Sequence, residues 1–214
     1  MPSHAETLAA YAGRAPVIPV VTIEDARQAI PLARALVEAG LPVVEVTLRT
    51  AAALDAIAAI AKAVPEAIVA AGTVVRAAQI AEVADAGAKF IVTPGTPPDL
   101  AEALAGGPIP AMPGCATASE AIALADRGFE IVKFFPAGPS GGPAWLKAIA
   151  GPLPGLRFCP TGGVDAANAG AYLALKNVVC VGGSWMAPTD AIAAGDFGRI
   201  GRLAREAAGL RSSA

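Results

Sequence analysis

The chain has one histidine and three cysteines, and aromatic residues make up only 5% of its 214 residues. Each shortage removes a class of chemistry. Zinc sites draw on histidine or clustered cysteine, and Ser-His-Asp or Cys-His nucleophiles need a histidine beside the reacting group. His4 lies in the first few residues, a region where chains are loosely ordered. Cys115, Cys159 and Cys180 are odd in number and far apart, with no CxxC pair. They read as reduced, buried thiols. No uncharged apolar run approaches the ~18 residues of a membrane span, and the first residues lack the basic start and apolar stretch of a signal peptide. A net charge of -2, with acids and bases interspersed, leaves no basic footprint for nucleic acid or an anionic membrane. These absences predict a cytoplasmic protein that uses no metal and no cofactor. Its chemistry is left to lysine, carboxylates, hydroxyls, arginine and backbone. The length suits one domain over residues 1–214 with a large core.

What is present is a repeated unit. Short β-branched runs occur at Val17–Val21, Val43–Thr47, Ile68–Ala71, Lys89–Val92, Ile109–Met112, Ile131–Phe134, Arg157–Pro160 and Val178–Val181. Each is followed by Ala, Leu and Ile at helical spacing: Glu24–Glu38, Ala52–Ala63, Ala77–Ala86, Pro98–Ala105, Ser119–Arg127, Pro143–Ala150, Ala166–Leu175 and Ala191–Ala208. Gly40, Gly87 and Gly128 stand at helix-stop positions. Eight β-α pairs in steps of about 25 residues, with no linker between them, predict a (β/α)8 TIM barrel preceded by a short N-terminal helix. A doubly wound open sheet is the alternative. It calls for a glycine-rich turn after the first strand, where this chain has Thr22-Ile23-Glu24.

One residue is out of place. Lys133 lies in the apolar run Ile131-Val132-Lys133-Phe134-Phe135-Pro136, whereas the other four lysines sit in helix-like segments or at element edges. Burying an unpaired ammonium costs several kcal/mol. The usual escape is loss of the proton, and a neutral amine is a nucleophile toward ketones.

Barrel active sites lie at the C-terminal ends of the strands, so the polar residues there are the candidates. The second strand ends with Glu45, Thr47 and Arg49, the third with Thr73, the fourth with Thr93 before Pro94-Gly95. The sixth carries Lys133, the seventh ends in Thr161-Gly162-Gly163, and the eighth in Gly182-Gly183-Ser184. Glu45 alone among the carboxylates falls within a predicted strand. Strands two and six face each other across an eight-stranded ring, which is narrow enough for long side chains to meet. Two glycine pairs after strands seven and eight suit a phosphate held by backbone N–H groups. Asp165 reads as a helix cap. Arg49 suits a carboxylate, to which Thr73 can add a hydroxyl donor, and Phe135 can wall the pocket.

Glu45-Val-Thr-Leu-Arg49-Thr50, Ala71-Gly72-Thr73-Val74, Thr93-Pro94-Gly95, Lys133-Phe-Phe-Pro-Ala137, Phe158-Cys-Pro-Thr-Gly-Gly163 and Gly182-Gly-Ser-Trp185 occur in this order. Together they resemble the 2-keto-3-deoxy-6-phosphogluconate (KDPG) and 4-hydroxy-2-oxoglutarate aldolase family, class I aldolases of the Entner-Doudoroff pathway. The resemblance runs from about Pro16 to the C-terminal helix. It implies a homotrimeric (β/α)8 barrel with Lys133 as Schiff-base lysine and Glu45 as general acid/base. It also implies that Arg49 and Thr73 hold the pyruvate carboxylate, and that Gly162, Gly163 and Ser184 hold the phosphate. Pro94, Phe135, Thr161, Gly182 and Gly183 complete the expected substrate-binding set. Cys115 stands where the family pattern has an aliphatic residue. The residues leave three rivals open: the same chemistry on 4-hydroxy-2-oxoglutarate or the galactonate epimer, a phosphate-binding isomerase or synthase barrel without an imine, and a non-catalytic sensor.

Overall fold

The structure is a computed structural model that describes residues 2–211. It is an α/β fold of parallel strands and helices. A first helix, α1 (His4–Ala12), precedes β1 (Val17–Val21), and a 3-10 turn at Ala26–Gln28 leads into α2 (Ala29–Glu38). Then come β2 (Val43–Thr47), α3 (Ala53–Ala63), β3 (Ile68–Gly72), α4 (Ala78–Asp85), β4 (Phe90–Val92) and α5 (Pro98–Ala105). Next are β5 (Ala111–Met112), β6 (Gly114–Cys115), α6 (Ala118–Ala125), β7 (Ile131–Phe134), α7 (Gly142–Ile149), β8 (Arg157–Pro160) and α8 (Ala169–Leu173). The chain ends its regular structure with β9 (Val181–Gly183), α9 (Thr189–Ala194), α10 (Phe197–Ala208) and a 3-10 turn.

The strands form a six-stranded sheet, ordered β5-β4-β3-β2-β1-β9, and a three-stranded sheet, ordered β6-β7-β8. Pro113 separates β5 from β6. It has no N–H for the ladder, so the expected fifth strand, Ile109–Met112, is regular only at its end, as β5, and the chain pairs again beyond Pro113 as β6, which was not expected, in the other sheet. The two sheets also meet at their other ends, through isolated parallel bridges Phe158↔Val178 and Thr161↔Gly182. The last predicted strand, Val178–Val181, keeps only that bridge at its start, and its ladder with β1 runs from Val181 to Gly183. The long helix predicted over Ala191–Ala208 is broken at Gly195, which takes φ +68. That left-handed conformation ends α9 and redirects the chain, and Asp196 then caps α10 by accepting from Arg199 N.

Strand residues alternate between two packed clusters, as the two-residue period of a strand requires. One face meets the helices: Val17, Val44, Val46, Val69, Ala71, Ile91, Val132, Phe134, Phe158 and Val181 lie with Leu32, Leu36, Ile57, Ile60 and Ile200. Cys115 joins this cluster at 1% exposure, so it packs as a small apolar residue. The opposite faces form a second cluster of Ile18, Val43, Ala70, Phe90, Val92, Met112, Ile131, Cys159 and Cys180. Leu8 and Ala12 of α1 pack into it. The first turn of the helix is closed by a capping box in which Ser3 Oγ accepts from Glu6 N at 3.2 Å and Ser3 N donates to Glu6 Oε2 at 2.7 Å. The short N-terminal helix therefore covers the N-terminal ends of the strands.

Candidate active site

Two residues beyond members of the second cluster, the same strand faces carry Glu45, Gly72, Gly114, Lys133, Thr161 and Gly182. Lys133 Nζ donates to Glu45 Oε1 at 3.0 Å, and the two residues are 5% and 3% exposed. They come from β7 and β2, in different sheets. A buried ion pair is a poor source of stability, because desolvation offsets its attraction. Its presence needs a different reason, and a catalytic site supplies one.

The glycines explain how this pair fits. A Cβ on Gly72 would overlap Glu45 Oε1 and lie 2.6 Å from its Cγ. Gly114 stands beside Lys133 in register, with Cys159 on the other side. A Cβ on Gly114 would lie 2.6 Å from the carbonyl carbon of Pro94, so Pro94 closes over the strand next to the lysine. The Phe135 ring centroid is 5.3 Å from Lys133 Nζ, within cation–π range.

Thr73 follows directly and has φ +62. A β-branched residue rarely enters this region, and such strain, of about 1–3 kcal/mol, tends to persist at functional sites. The surrounding loop is pinned by Gln79, whose buried Oε1 accepts from Val75 N at 2.9 Å and Arg76 N at 3.0 Å. Arg49 is exposed, and its guanidinium pairs with no carboxylate among the described residues. Its loop is fixed by Arg49 N to Thr47 O at 2.8 Å and by Thr50 Oγ1 to Ile23 O at 2.6 Å.

A cavity of about 380 Å³ opens at these strand ends, lined by Val20, Thr22, Arg49, Phe135, Thr161, Gly162, Gly163, Val164, Gly183, Ser184, Ala187 and Thr189. Gly162 and Gly163 take φ +88 and +76. The space a side chain would need is already filled, at Gly162 by the Phe135 ring at 3.0 Å and at Gly163 by Gly138 Cα at 3.3 Å. The carbonyls of Thr161 and Gly162 are turned onto Ala137 N and Gly138 N, each at 2.8 Å. Asp165 accepts from Ala167 N and Asn168 N in the turn that leads into α8; the helix begins at Ala169 rather than Ala166, so Asn168 and not Asp165 stands at its N-cap. Gly182 leaves room for Thr161 Oγ1, and Gly183 for the Trp185 ring.

The fold thus brings Arg49, Phe135, Thr161, Gly162, Gly163, Gly183 and Ser184 onto one cavity, with Glu45 and Lys133 in contact deeper between the strands. Thr73, Pro94 and Gly182 lie outside the cavity lining; Thr73 follows Gly72 against Glu45, and the other two touch residues of the site. Sequence reasoning did not single out Gly72 and Gly114, whose role is to leave space, or Gln79, whose role is to hold a loop. Nor did it select Val20 and Thr22, although the two-residue period from Ile18 points to both. A smaller cavity of about 90 Å³ lies at the opposite strand ends, with His4, Leu8, Arg127 and Glu130 in its lining. Among the described residues no group of three or more His, Cys, Asp or Glu could hold a metal ion, and no helix is long and apolar enough to cross a membrane.

A family model described as "Aldolase: KDPG and KHG aldolase" matches residues 9–203. The KHG/KDPG aldolase of Escherichia coli is 54% identical over 192 residues, 90% of each chain. Among solved structures, KDPG aldolase from Legionella pneumophila, with pyruvate captured at low pH as a covalent carbinolamine intermediate, superposes with a TM-score of 0.91 at 41% identity, over 94% of this chain and 97% of that one. The 2-keto-3-deoxy-6-phosphogluconate aldolase of Zymomonas mobilis with 3-phosphoglycerate has a TM-score of 0.91 at 39% identity, over 99% of both chains.

Proposed function

Since the chain belongs to the KDPG and KHG aldolase family, we propose that it is a class I aldolase, a lyase that cleaves KDPG to pyruvate and glyceraldehyde 3-phosphate through a Schiff base on Lys133. The observation that carries this reading is the buried 3.0 Å contact between Lys133 Nζ and Glu45 Oε1 beside the cavity. An amine must lose its proton before it attacks a ketone, and Glu45 is in place to take it.

Lys133 then adds to C2 of the substrate, and Glu45 returns the proton to the departing hydroxyl, which leaves as water. The resulting iminium is an electron sink. Glu45, again a carboxylate, takes the proton of the C4 hydroxyl, and the C3–C4 bond breaks. Its electron pair moves into the iminium to give an enamine, and glyceraldehyde 3-phosphate leaves. Glu45 protonates C3, and water releases pyruvate from Lys133. Arg49 and Thr73 hold the carboxylate, the former through two parallel hydrogen bonds. Thr161, Gly162, Gly163, Gly182, Gly183 and Ser184 form the phosphate end, and Pro94 and Phe135 wall the reacting carbons from water. No metal or cofactor enters any step.

The architecture is read as one domain, an eight-stranded barrel in which β5 and β6 count as a single strand interrupted at Pro113. Support comes from the second cluster, to which every strand position of that ring contributes a residue, and from the bridges between β8 and the β9 segment. A cytoplasmic homotrimer is the assembly this family membership favours. A second substrate, 4-hydroxy-2-oxoglutarate, is favoured by the dual name of the Escherichia coli relative. It shares the 2-keto acid and 4-hydroxyl that Lys133 and Glu45 require.

The test is incubation with pyruvate and borohydride, followed by peptide mass spectrometry. A reduced pyruvate adduct on Lys133, absent from Lys133→Ala, is expected. A folded protein that forms no adduct would falsify the Schiff-base reading and leave the two rivals that form no imine, a phosphate-binding isomerase or synthase barrel and a non-catalytic sensor. Parallel turnover of KDPG, its galactonate epimer and 4-hydroxy-2-oxoglutarate ranks the substrates.

A further inference from the structure

Thr22 lines the cavity but has no place in the chemistry above. It follows β1, which pairs with β2 on one side and β9 on the other. Its position is therefore between the strand that leads to Arg49 and the strand that leads to Ser184, the two ends of the proposed substrate. The Thr22 Oγ1 lies 3.0 Å from Thr47 Oγ1, and either hydroxyl could donate on geometry alone. The partner of Thr47 removes that ambiguity. Thr47 is fully buried, and its hydroxyl is 3.1 Å from Val21 O, a carbonyl that can only accept. A threonine hydroxyl has one hydrogen and two lone pairs. Thr47 gives its hydrogen to Val21 O, so Thr22 gives its own to Thr47. What Thr22 turns to the cavity is a pair of acceptor sites with no hydrogen left to donate.

We infer that Thr22 is a specificity-determining residue that accepts a hydrogen bond from a substrate hydroxyl between the reacting carbon and the phosphate. The inference rests on the aldolase reading. In KDPG the C4 hydroxyl gives its proton to Glu45, and the remaining free hydroxyl is on C5. That group is the one Thr22 recognises. It corresponds to the 2-hydroxyl of the aldehyde product, which makes the idea testable in the direction of synthesis. The Thr47-Thr22 chain sits in a partly buried wall, where the hydroxyls stay fixed rather than rotating to suit any ligand. A site built to hydrogen-bond a hydroxyl discriminates against a ligand that lacks it.

The experiment condenses pyruvate with D-glyceraldehyde 3-phosphate or with 3-phosphooxypropanal, which has the same length and phosphate but no 2-hydroxyl. Unaltered protein, Thr22→Val, Thr22→Ala and Thr22→Ser are compared. Loss of one neutral hydrogen bond predicts a fall in kcat/KM of about tenfold for the hydroxylated aldehyde in the Val and Ala variants. The value for the deoxy aldehyde should stay unchanged, and Thr22→Ser should retain the preference. Equal losses on both aldehydes, or none on either, overturn the proposal. The pyruvate–borohydride adduct is read in the same samples. Adduct on Lys133 with no change in aldehyde preference defeats only the role of Thr22, whereas absence of adduct from the unaltered protein defeats the aldolase reading and this inference with it.

Discussion

Replacing Gly72 with alanine isolates one geometric requirement of the site. Gly72 ends β3 and pairs in register with Thr47, two residues beyond Glu45 on β2. Its φ is not positive, so an alanine there carries no left-handed backbone strain. The new methyl group would instead overlap Glu45 Oε1 and approach its Cγ at 2.6 Å and Cδ at 2.8 Å. Glu45 is 3% exposed and hydrogen-bonded to Lys133, so the carboxylate can yield only by giving up that 3.0 Å contact. Overpacking of this kind costs about 1–3 kcal/mol, which for a chain of this size lowers Tm by about 2–12 °C. The effect on turnover should be larger. General acid/base transfer contributes about 100- to 10,000-fold, and a displaced carboxylate forfeits much of it. Aldol cleavage, followed through pyruvate release, should fall at least about 100-fold in Gly72→Ala, while pyruvate still forms a borohydride-trappable adduct on Lys133. Gly170→Ala serves as control, because its added methyl meets nothing within 4 Å. A folded Gly72→Ala protein with unaltered kcat would refute the claim that this glycine exists to seat Glu45.

Further outcomes follow from the same geometry. Lys133→Met leaves the Glu45 carboxylate buried without its amine and should destabilise by about 3–5 kcal/mol in denaturant unfolding, whereas Lys133→Met with Glu45→Leu should recover the loss or exceed the parent by about 1–4 kcal/mol, with both variants inactive; no recovery in the double variant would mean that the pair does stabilise the fold. Burial, with a smaller contribution from the charge of Glu120, pushes the Cys115 thiol up to about 12, and the other two cysteines are buried as well. Native protein at about pH 8 should therefore resist a thiol reagent and expose three thiols only after denaturation. Hydrogen bonds from the backbone of Ser3 to Glu6 and of Ala116 to Glu120 hold both carboxyls below the ordinary 4.5. A carboxyl lowered in the folded state adds stability above its unfolded value and loses it as pH falls through the folded one. Tm contributed by these two caps should thus be flat above about pH 5 and decline below 4.5, with a shallower acid slope in Glu6→Gln and Glu120→Gln; a slope unchanged by both substitutions would contradict the assignment.

The residues proposed to react were legible in the sequence because each breaks a local rule. Lys133 interrupts an apolar strand, and Glu45 is the one carboxylate within a predicted strand, so both stand out before any geometry is known. Arg49, Ser184 and the glycine turns were legible for a weaker reason: position at a strand end. What escaped notice obeys local rules and matters only through its neighbours. Gly114 after Pro113 reads as a turn, yet it lies beside Lys133 and opens β6, the first strand of the second sheet. The break at Gly195 was hidden by alanine-rich flanks whose helical spacing continues across it. Thr73 reads as an ordinary strand end, because a φ of +62 depends on the Gln79 side chain six residues later and on the pairing of Val74 N with Val92 O at 3.3 Å. The direction of the Thr22 hydroxyl is further still from the sequence, since it is set by a carbonyl that accepts from a third residue. Composition and spacing identify groups that are chemically anomalous. The groups that make room for them, aim them or select the ligand are chemically ordinary, and only packing distinguishes them from any other glycine, glutamine or threonine.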